Sequence, residues 1–257
     1  MPGKFFKSQY IDFRNSVVLR NQFIPDATAS GFLDGIRNSA ESRVVQLKKG
    51  SDLFRAQYGC VQKYQDEHPI PLQCHSAKRM RPDRKFVKAG RANAEYKAVF
   101  YAAVTPEVAI KEMRPWIGAY LSVAQFRTKK DLRIVNLFDV YKGFEEGFML
   151  AINRSKLTGK NFDDYVWHTI GEAFCQPVML SDEPHGYLPT QIIAELIKSM
   201  GYDGLAYRSS VEHERKSQED AVPNVALFDV NAVSMQKKGW VVRITDFQLE
   251  FDDGPHY

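Results

Sequence analysis

Five polar side chains stand where this sequence otherwise reads apolar or passes from one element to the next. Arg55 lies inside the apolar segment Leu53-Phe54-Arg55-Ala56, where an unpaired guanidinium would be costly. Arg91 opens Gly90-Arg91-Ala92-Asn93 just ahead of a strongly apolar stretch, Tyr101 lies within that stretch, Glu112 follows on the next helix, and Ser209 ends a later strand. Arginine offers a planar, permanently charged fork for paired contacts to oxyanions. A carboxylate can stabilise a developing positive charge or accept from a hydroxyl. Each residue also has a plain structural role open to it: Arg55 as partner of a surface acid, Tyr101 as core, Glu112 as a solvated helix charge. Taken singly, none identifies a function.

The motifs that would assign a more familiar chemistry are missing. There is no Gly-x-Gly-x-x-Gly after a strand, no Gly-x-x-x-x-Gly-Lys, no Gly-x-Ser-x-Gly and no His-Glu-x-x-His. The six histidines are scattered, and Cys74-His75 are chain neighbours, a spacing that seldom ligates one metal. Three cysteines, Cys60, Cys74 and Cys175, are an odd number without a Cys-x-x-Cys pair, which argues against a disulfide framework or a zinc finger. No metal site is expected.

The elements that must position the five residues follow from hydropathy and breakers. Lys97 to Val104 reads as a strand buried on both faces. Thr105-Pro106 then starts a helix, with Thr as N-cap, Ala109, Ile110 and Met113 as the apolar stripe, and Pro115 beyond its end. The clearest helix begins at Pro189-Thr190, keeps Ile192, Ile193, Leu196, Ile197 and Met200 at helical spacing, and closes at Gly201. Strands are expected over Val44–Leu47, Leu53–Ala56, Tyr120–Arg127, Leu132–Val140, Gly204–Ser209, Val222–Val230 and Gly239–Phe247. Asp26–Ser39 carries Phe32, Leu33 and Ile36 at helical spacing, weakened by Gly31 and Gly35. Residues 143–188 give weak helical signals and read as an insertion that covers the sheet.

Length and composition frame these elements. The chain has 257 residues, 44% hydrophobic and 26% charged, which excludes a collagen, a disordered chain or a coiled coil. Its net charge of +4 is too small to require a nucleic acid or a membrane as partner. The longest apolar run, Ala98 to Val104, falls far short of the ~20 residues of a spanning helix. The N-terminus has no apolar core of a secretory signal. A reduced, soluble protein of the cytoplasm is expected. One stretch departs from the average: Lys78 to Arg91 holds seven cations against Asp83 alone, either a solvated loop or a face for an anion.

Read together, the residues carry a resemblance. Leu53-Phe54-Arg55-Ala56-Gln57-Tyr58-Gly59, the run from Ala89 to Phe126, Leu188 to Ser210 and Asn224 to Val230 resemble the RES domain family, named for its Arg, Glu and Ser. The joint order Gly-Arg-x-Asn, strand Tyr, Ala-Ile-x-Glu and Tyr-x-Ser-Ser is specific where each piece alone is weak. One departure is Ala92, where many members carry an aromatic residue that would bear on the wall of the pocket. The resemblance implies an α/β (α+β) single domain with a mixed, mostly antiparallel sheet, similar to the ADP-ribosyltransferase fold. It places the domain over residues 46–235 with the insertion at about 141–187, after an N-terminal extension (1–45) and before a C-terminal strand and acidic tail (236–257).

The same resemblance implies a toxin of a bacterial toxin–antitoxin pair that consumes NAD⁺ as substrate, with no resident cofactor. It places catalytic roles on Glu112, Tyr101, Arg55 and Ser209, and substrate contacts on Arg55, Arg91, Asn93, Tyr101 and Ser209. Glu107 and Ser210 are the fallbacks for Glu112 and Ser209. The residue types suit that chemistry: breaking the nicotinamide–ribose bond passes through an oxocarbenium-like cation, which a carboxylate stabilises, and a pyrophosphate calls for arginines. Hydrolysis or phosphorolysis of NAD⁺ is the leading expectation and ADP-ribosyl transfer to a protein or nucleic acid the alternative. A non-enzymatic nucleic-acid-binding module is the weakest reading, because Phe86 is the only aromatic among the cations of the basic run. The expected partners are NAD⁺ and a protein antitoxin, with homo-oligomerisation open and no membrane.

Overall fold

In a computed structural model of the chain, the structure describes residues 10–20, 24–65, 68–69, 72–137, 160–176, 186–209, 211 and 223–247. The strands, in chain order, are β1 (Val44–Leu47), β2 (Asp52–Tyr58), β3 (Tyr64–Gln65), β4 (His68–Pro69), β5 (Phe100–Ala103), β6 (Tyr120–Thr128), β7 (Leu132–Asn136), β8 (Gly204–Arg208), β9 (Pro223–Leu227) and β10 (Val233–Arg243). The helices are α1 (Tyr10–Asn15), α2 (Ala27–Ser39), α3 (Ala77–Met80), α4 (Pro106–Lys111), α5 (Lys160–Cys175) and α6 (Leu188–Ser199). β3 and β4 form a small separate hairpin. Every other strand joins one eight-stranded sheet in the order β1-β7-β8-β9-β5-β2-β6-β10. Only β7 and β8 run parallel. The expected mixed, mostly antiparallel α+β sheet is what forms. Among the described residues, no helix is long and apolar enough to cross a membrane.

Local chemistry explains the helix ends. Thr105 caps α4 by accepting from the Val108 amide at 3.3 Å, with Pro106 at the first helical position. Asp26 caps α2 by accepting from the Ala29 amide at 2.9 Å, and the helix runs through both of its glycines because Phe32, Leu33 and Ile36 are buried. Burial of that stripe outweighs the propensity cost of glycine. Gly201, at φ +85°, turns the chain after α6 as expected.

Three expectations shift. The strand expected from Lys97 begins only at Phe100, because Lys97 closes a turn onto the Ala94 carbonyl after Tyr96 takes a positive φ. The last strand starts at Val233 rather than Gly239, and its pairing with β6 breaks register between Met235 and Gly239, so β10 crosses the expected domain limit at residue 235. Gln236, Lys237 and Lys238 at that bulge mask the alternation that would have shown it. Residues 10–39, expected as an extension, supply Phe13, Phe32 and Ile36 to the main core, where Phe13 stacks on Phe32 at 4.6 Å. Residues 138–140 of the strand expected over Leu132–Val140, Ser210 and the tail beyond Phe247 lie outside the described residues.

The core occupies both faces of the sheet. On one, α1, α2, α5 and α6 bury Trp167, Phe174, Ile193 and Ile197 against Leu205 and Tyr207 of β8. On the other, Phe100, Phe126, Leu132, Leu227 and Val233 surround Met80, the apolar anchor inside the basic run. α5, within residues 143–188, packs on β8 at the first of these faces. Packing at the sheet centre is tight. A Cβ on Gly204 would lie 2.4 Å from the Ala226 carbonyl oxygen, 3.1 Å from Leu227 and 3.2 Å from Ile134. Gly204→Ala is therefore expected to cost about 1–3 kcal/mol by overpacking against main chain. Thermal unfolding should show a midpoint several degrees lower.

Candidate active site

The sheet is split where the site lies. β2 pairs with β6 along its whole length, and β5 pairs with β9 at all four residues, yet β2 and β5 share the single pair Phe54↔Ala103. Beyond that pair the two strands diverge. Their lips carry Arg55 and Gln57 from β2 and Tyr101 from β5, residues that line two adjoining cavities of about 720 and 270 Å³. Arg55 reaches across: Nη1 donates to the Tyr101 carbonyl at 2.7 Å, and Nε donates to the Met80 carbonyl at 3.0 Å. Its guanidinium also lies 5.5 Å from the centre of the Phe100 ring. Among the described residues no carboxylate pairs with it. Burial drops its pKa to about 10, since desolvation disfavours the cation.

The Gly90–Asn93 loop is held by three side chains. Tyr101 Oη donates to Asn93 Oδ1 at 2.7 Å and accepts from the Ala92 amide at 2.9 Å. Asn93 Nδ2 donates to the carbonyls of Lys88 and Ala94. Gln191 Nε2, on α6, donates to the carbonyls of Gly90 and Asn93 at 3.0 and 2.8 Å. The loop thereby presents Arg91, whose Nη2 donates to the Cys175 carbonyl at 3.2 Å and whose Nε is buried without a partner among the described residues. Arg91 also hydrogen-bonds the Tyr207 side chain and lines the smaller cavity, a second guanidinium at the cleft. Ala92 is buried and lines neither cavity, so the departure noted there does not reach the pocket wall.

Opposite the arginines stands Glu112, half-buried at the C-cap of α4. Its Oε1 accepts from Ser209 Oγ at 2.6 Å and from Asn224 Nδ2 at 2.7 Å. The register explains the meeting. Asn224 on β9 is flanked by Tyr207 on β8 and Ala103 on β5, and Ser209 follows two residues after Tyr207, so all four lie on one face. Ala56, Ala102, Ala103 and Ala109 line the same cleft and leave room there. Glu107 sits exposed on the first turn of α4, away from the cleft.

The structure brings Arg55, Arg91, Tyr101 and Glu112 around one opening, whereas Ser209 is enclosed behind Glu112 and lines neither cavity, so the substrate contact expected of it is not what its place offers. Burial raises the pKa of Tyr101, and its hydroxyl is engaged with the loop, so its ring, rather than its oxygen, is what it offers the cleft. Asn93 is buried and likewise spends its amide on the loop. Cys175, next to Arg91, has its thiol pushed up to about 11 by burial and then by Glu172, and burial raises Cys74 as well. Neither is a thiolate nucleophile near neutral pH. Among the described residues no three His, Cys, Asp or Glu side chains cluster as metal ligands do.

The RES domain matches residues 73–251, a span that contains Arg91, Asn93, Tyr101, Glu112 and Ser209 in this geometry. The chain belongs to the RES domain family. Arg55 lies upstream of the matched span and reaches the same cleft from β2. Among solved structures, the chain is similar to one of the M. tuberculosis MbcT-MbcA toxin-antitoxin complex, at 10% identity over 83% of this chain and 94% of that one, with a TM-score of 0.37. No curated protein matches the sequence. Two polar residues around this cleft escaped sequence reasoning, Asn224 and Gln191. An asparagine opening an apolar strand was a signal for the first; a glutamine on a helix carries none for the second.

Proposed function

We propose that the chain binds NAD⁺ in the split between β2 and β5 and breaks its nicotinamide–ribose bond. The observation that carries this reading is a carboxylate, held by one oxygen, in the same cleft as two guanidiniums that no carboxylate among the described residues neutralises. The arginines supply charge for a pyrophosphate. Glu112 supplies negative charge beside the ribose, where the bond between C1′ and the pyridinium nitrogen breaks. The bonding pair leaves with nicotinamide, which becomes neutral, and positive charge passes to the ribosyl carbon and ring oxygen. Water or phosphate then adds at C1′. Cavities of about 270 and 720 Å³ that adjoin suit a two-part ligand of this size.

Incubating purified protein with NAD⁺, with and without phosphate, tests the reading. Nicotinamide with ADP-ribose marks hydrolysis, and nicotinamide with a phosphorylated ADP-ribose marks phosphorolysis. Label transferred to an added protein or nucleic acid marks the transferase alternative. No nicotinamide under any condition overturns the proposal.

An NAD⁺-consuming toxin requires restraint in its own cell, and we assign that role to a protein antitoxin that meets the basic run. Lys78, Arg79, Arg81 and Lys88 line the larger cavity, and Arg84 and Lys85 continue onto an adjacent one of about 590 Å³. Arg81 is anchored, donating to the Val233 carbonyl at 3.0 Å. Arg84 and Lys85 are exposed and lie outside the cleft. Reversing both to Glu is expected to slow antitoxin association about 10-fold at low salt, since rim charges act mainly on the on-rate. NAD⁺ turnover without antitoxin should stay within about threefold of the parent. Stopped-flow association kinetics at two salt concentrations check this, and unchanged kinetics place the contact elsewhere.

A further inference from the structure

We infer that Asn224 is a positioning residue that decides which oxygen of Glu112 meets the substrate. The inference rests on the proposed role of Glu112. A carboxylate offers acceptors only, so the amide group within 2.7 Å of Oε1 presents its N–H₂ there. Ser209 Oγ donates to the same oxygen at 2.6 Å. Both donors are enclosed, Ser209 at 0% and Asn224 at 4% exposure. Among the described residues Oε2 accepts no hydrogen bond. The two oxygens are therefore unequal: Oε1 is tied to the sheet and Oε2 is left for the cleft.

Nothing in sheet formation asks for asparagine at this position. It sits between β8 and β5 at the centre of the sheet, where β-branched residues are favoured and asparagine is not. A buried amide costs stability unless its hydrogen bonds are met, and the bond this one makes goes to Glu112. Glutamate has three side-chain torsions, and Glu112 stands where α4 ends, so one donor alone leaves the carboxylate free to pivot about Ser209 Oγ. A second donor from a neighbouring strand removes that freedom before substrate arrives. The donor is also neutral, so the full carboxylate charge remains for the ribosyl cation, which a lysine or arginine here would offset.

The test is a double-mutant cycle of Asn224→Asp with Glu112→Gln, read by steady-state NAD⁺ kinetics on the full chain. The first substitution replaces the donor with an acceptor of the same shape, and the second offers that acceptor an N–H. Asn224→Asp should lower kcat about 10-fold or more in the parent with KM changed less than about threefold, yet lower it less than about twofold in the Glu112→Gln protein. Equal fold losses in both backgrounds, or a loss confined to KM, would show that Asn224 does not act through Glu112. A crystal structure of Asn224→Leu gives a readout independent of turnover. Loss of the single Glu112 orientation is expected, and a carboxylate unmoved from its place beside Ser209 overturns the inference. A parent protein inactive on NAD⁺ refutes the proposed function instead, and the Asn224→Leu structure still decides this one.

Discussion

Glu112→Gln is expected to fold like the parent and bind NAD⁺, yet release nicotinamide roughly 10²-fold more slowly or worse, the usual effect of losing one preorganised electrostatic group. The substitution is nearly isosteric, and the glutamine oxygen can still accept from Ser209 and Asn224, so stability should change little. What disappears is the negative charge that, in the proposed reaction, Oε2 would present to the ribosyl cation. Single-turnover nicotinamide release alongside a binding titration separates the two effects. Glu107→Gln serves as control: it removes an exposed charge from the first turn of α4 and should leave turnover within about twofold. A near-native Glu112→Gln enzyme with an inactive Glu107→Gln enzyme would transfer the catalytic assignment to Glu107.

The second large effect concerns the two arginines. Arg55→Ala and Arg91→Ala should each weaken NAD⁺ binding by about 1.5–3 kcal/mol, the range for charge-assisted hydrogen bonds. Calorimetry in the Glu112→Gln protein measures this without substrate turnover. Stability of the empty protein should change less than binding does. Burial holds the folded pKa of Arg55 at about 10, below the value of a free arginine. A lowered pKa on a basic group means that the folded state binds the proton less tightly than the unfolded one. The charge therefore opposes folding at neutral pH, and that opposition fades only as pH rises through about 10. An anion in the cleft relieves it, so NAD⁺ should raise the unfolding temperature of the parent more than that of Arg55→Ala. Collapse of the Arg55→Ala fold would instead mark the Met80 and Tyr101 carbonyl bonds as the purpose of this arginine.

Much of this architecture depends on interactions between residues near one another in the chain. The Thr105-Pro106 cap, the apolar stripe of α6 and its Gly201 stop, and the short apolar strands β1, β2, β6 and β8 are set by side chains within a few positions, so the sequence alone determined them. The same holds for the identity of the chemical groups: two arginines, a glutamate, a serine and a tyrosine stood out because each interrupts an apolar pattern or stands where one element passes to the next. Tertiary structure alone decided what those groups meet. The sheet order places β2 beside β5, although 46 positions separate Arg55 from Tyr101. The two strands pair at one residue only, so the cleft is a failure of register that no local pattern encodes. Asn224 and Ser209 converge on Glu112 because β8 and β9 lie side by side and α4, packed on β2, β5 and β6, ends beside them, at separations of 112 and 97 residues. The N-terminal helices joined the main core for the same reason: their stripe needed an apolar surface to cover, and only the folded sheet supplies one.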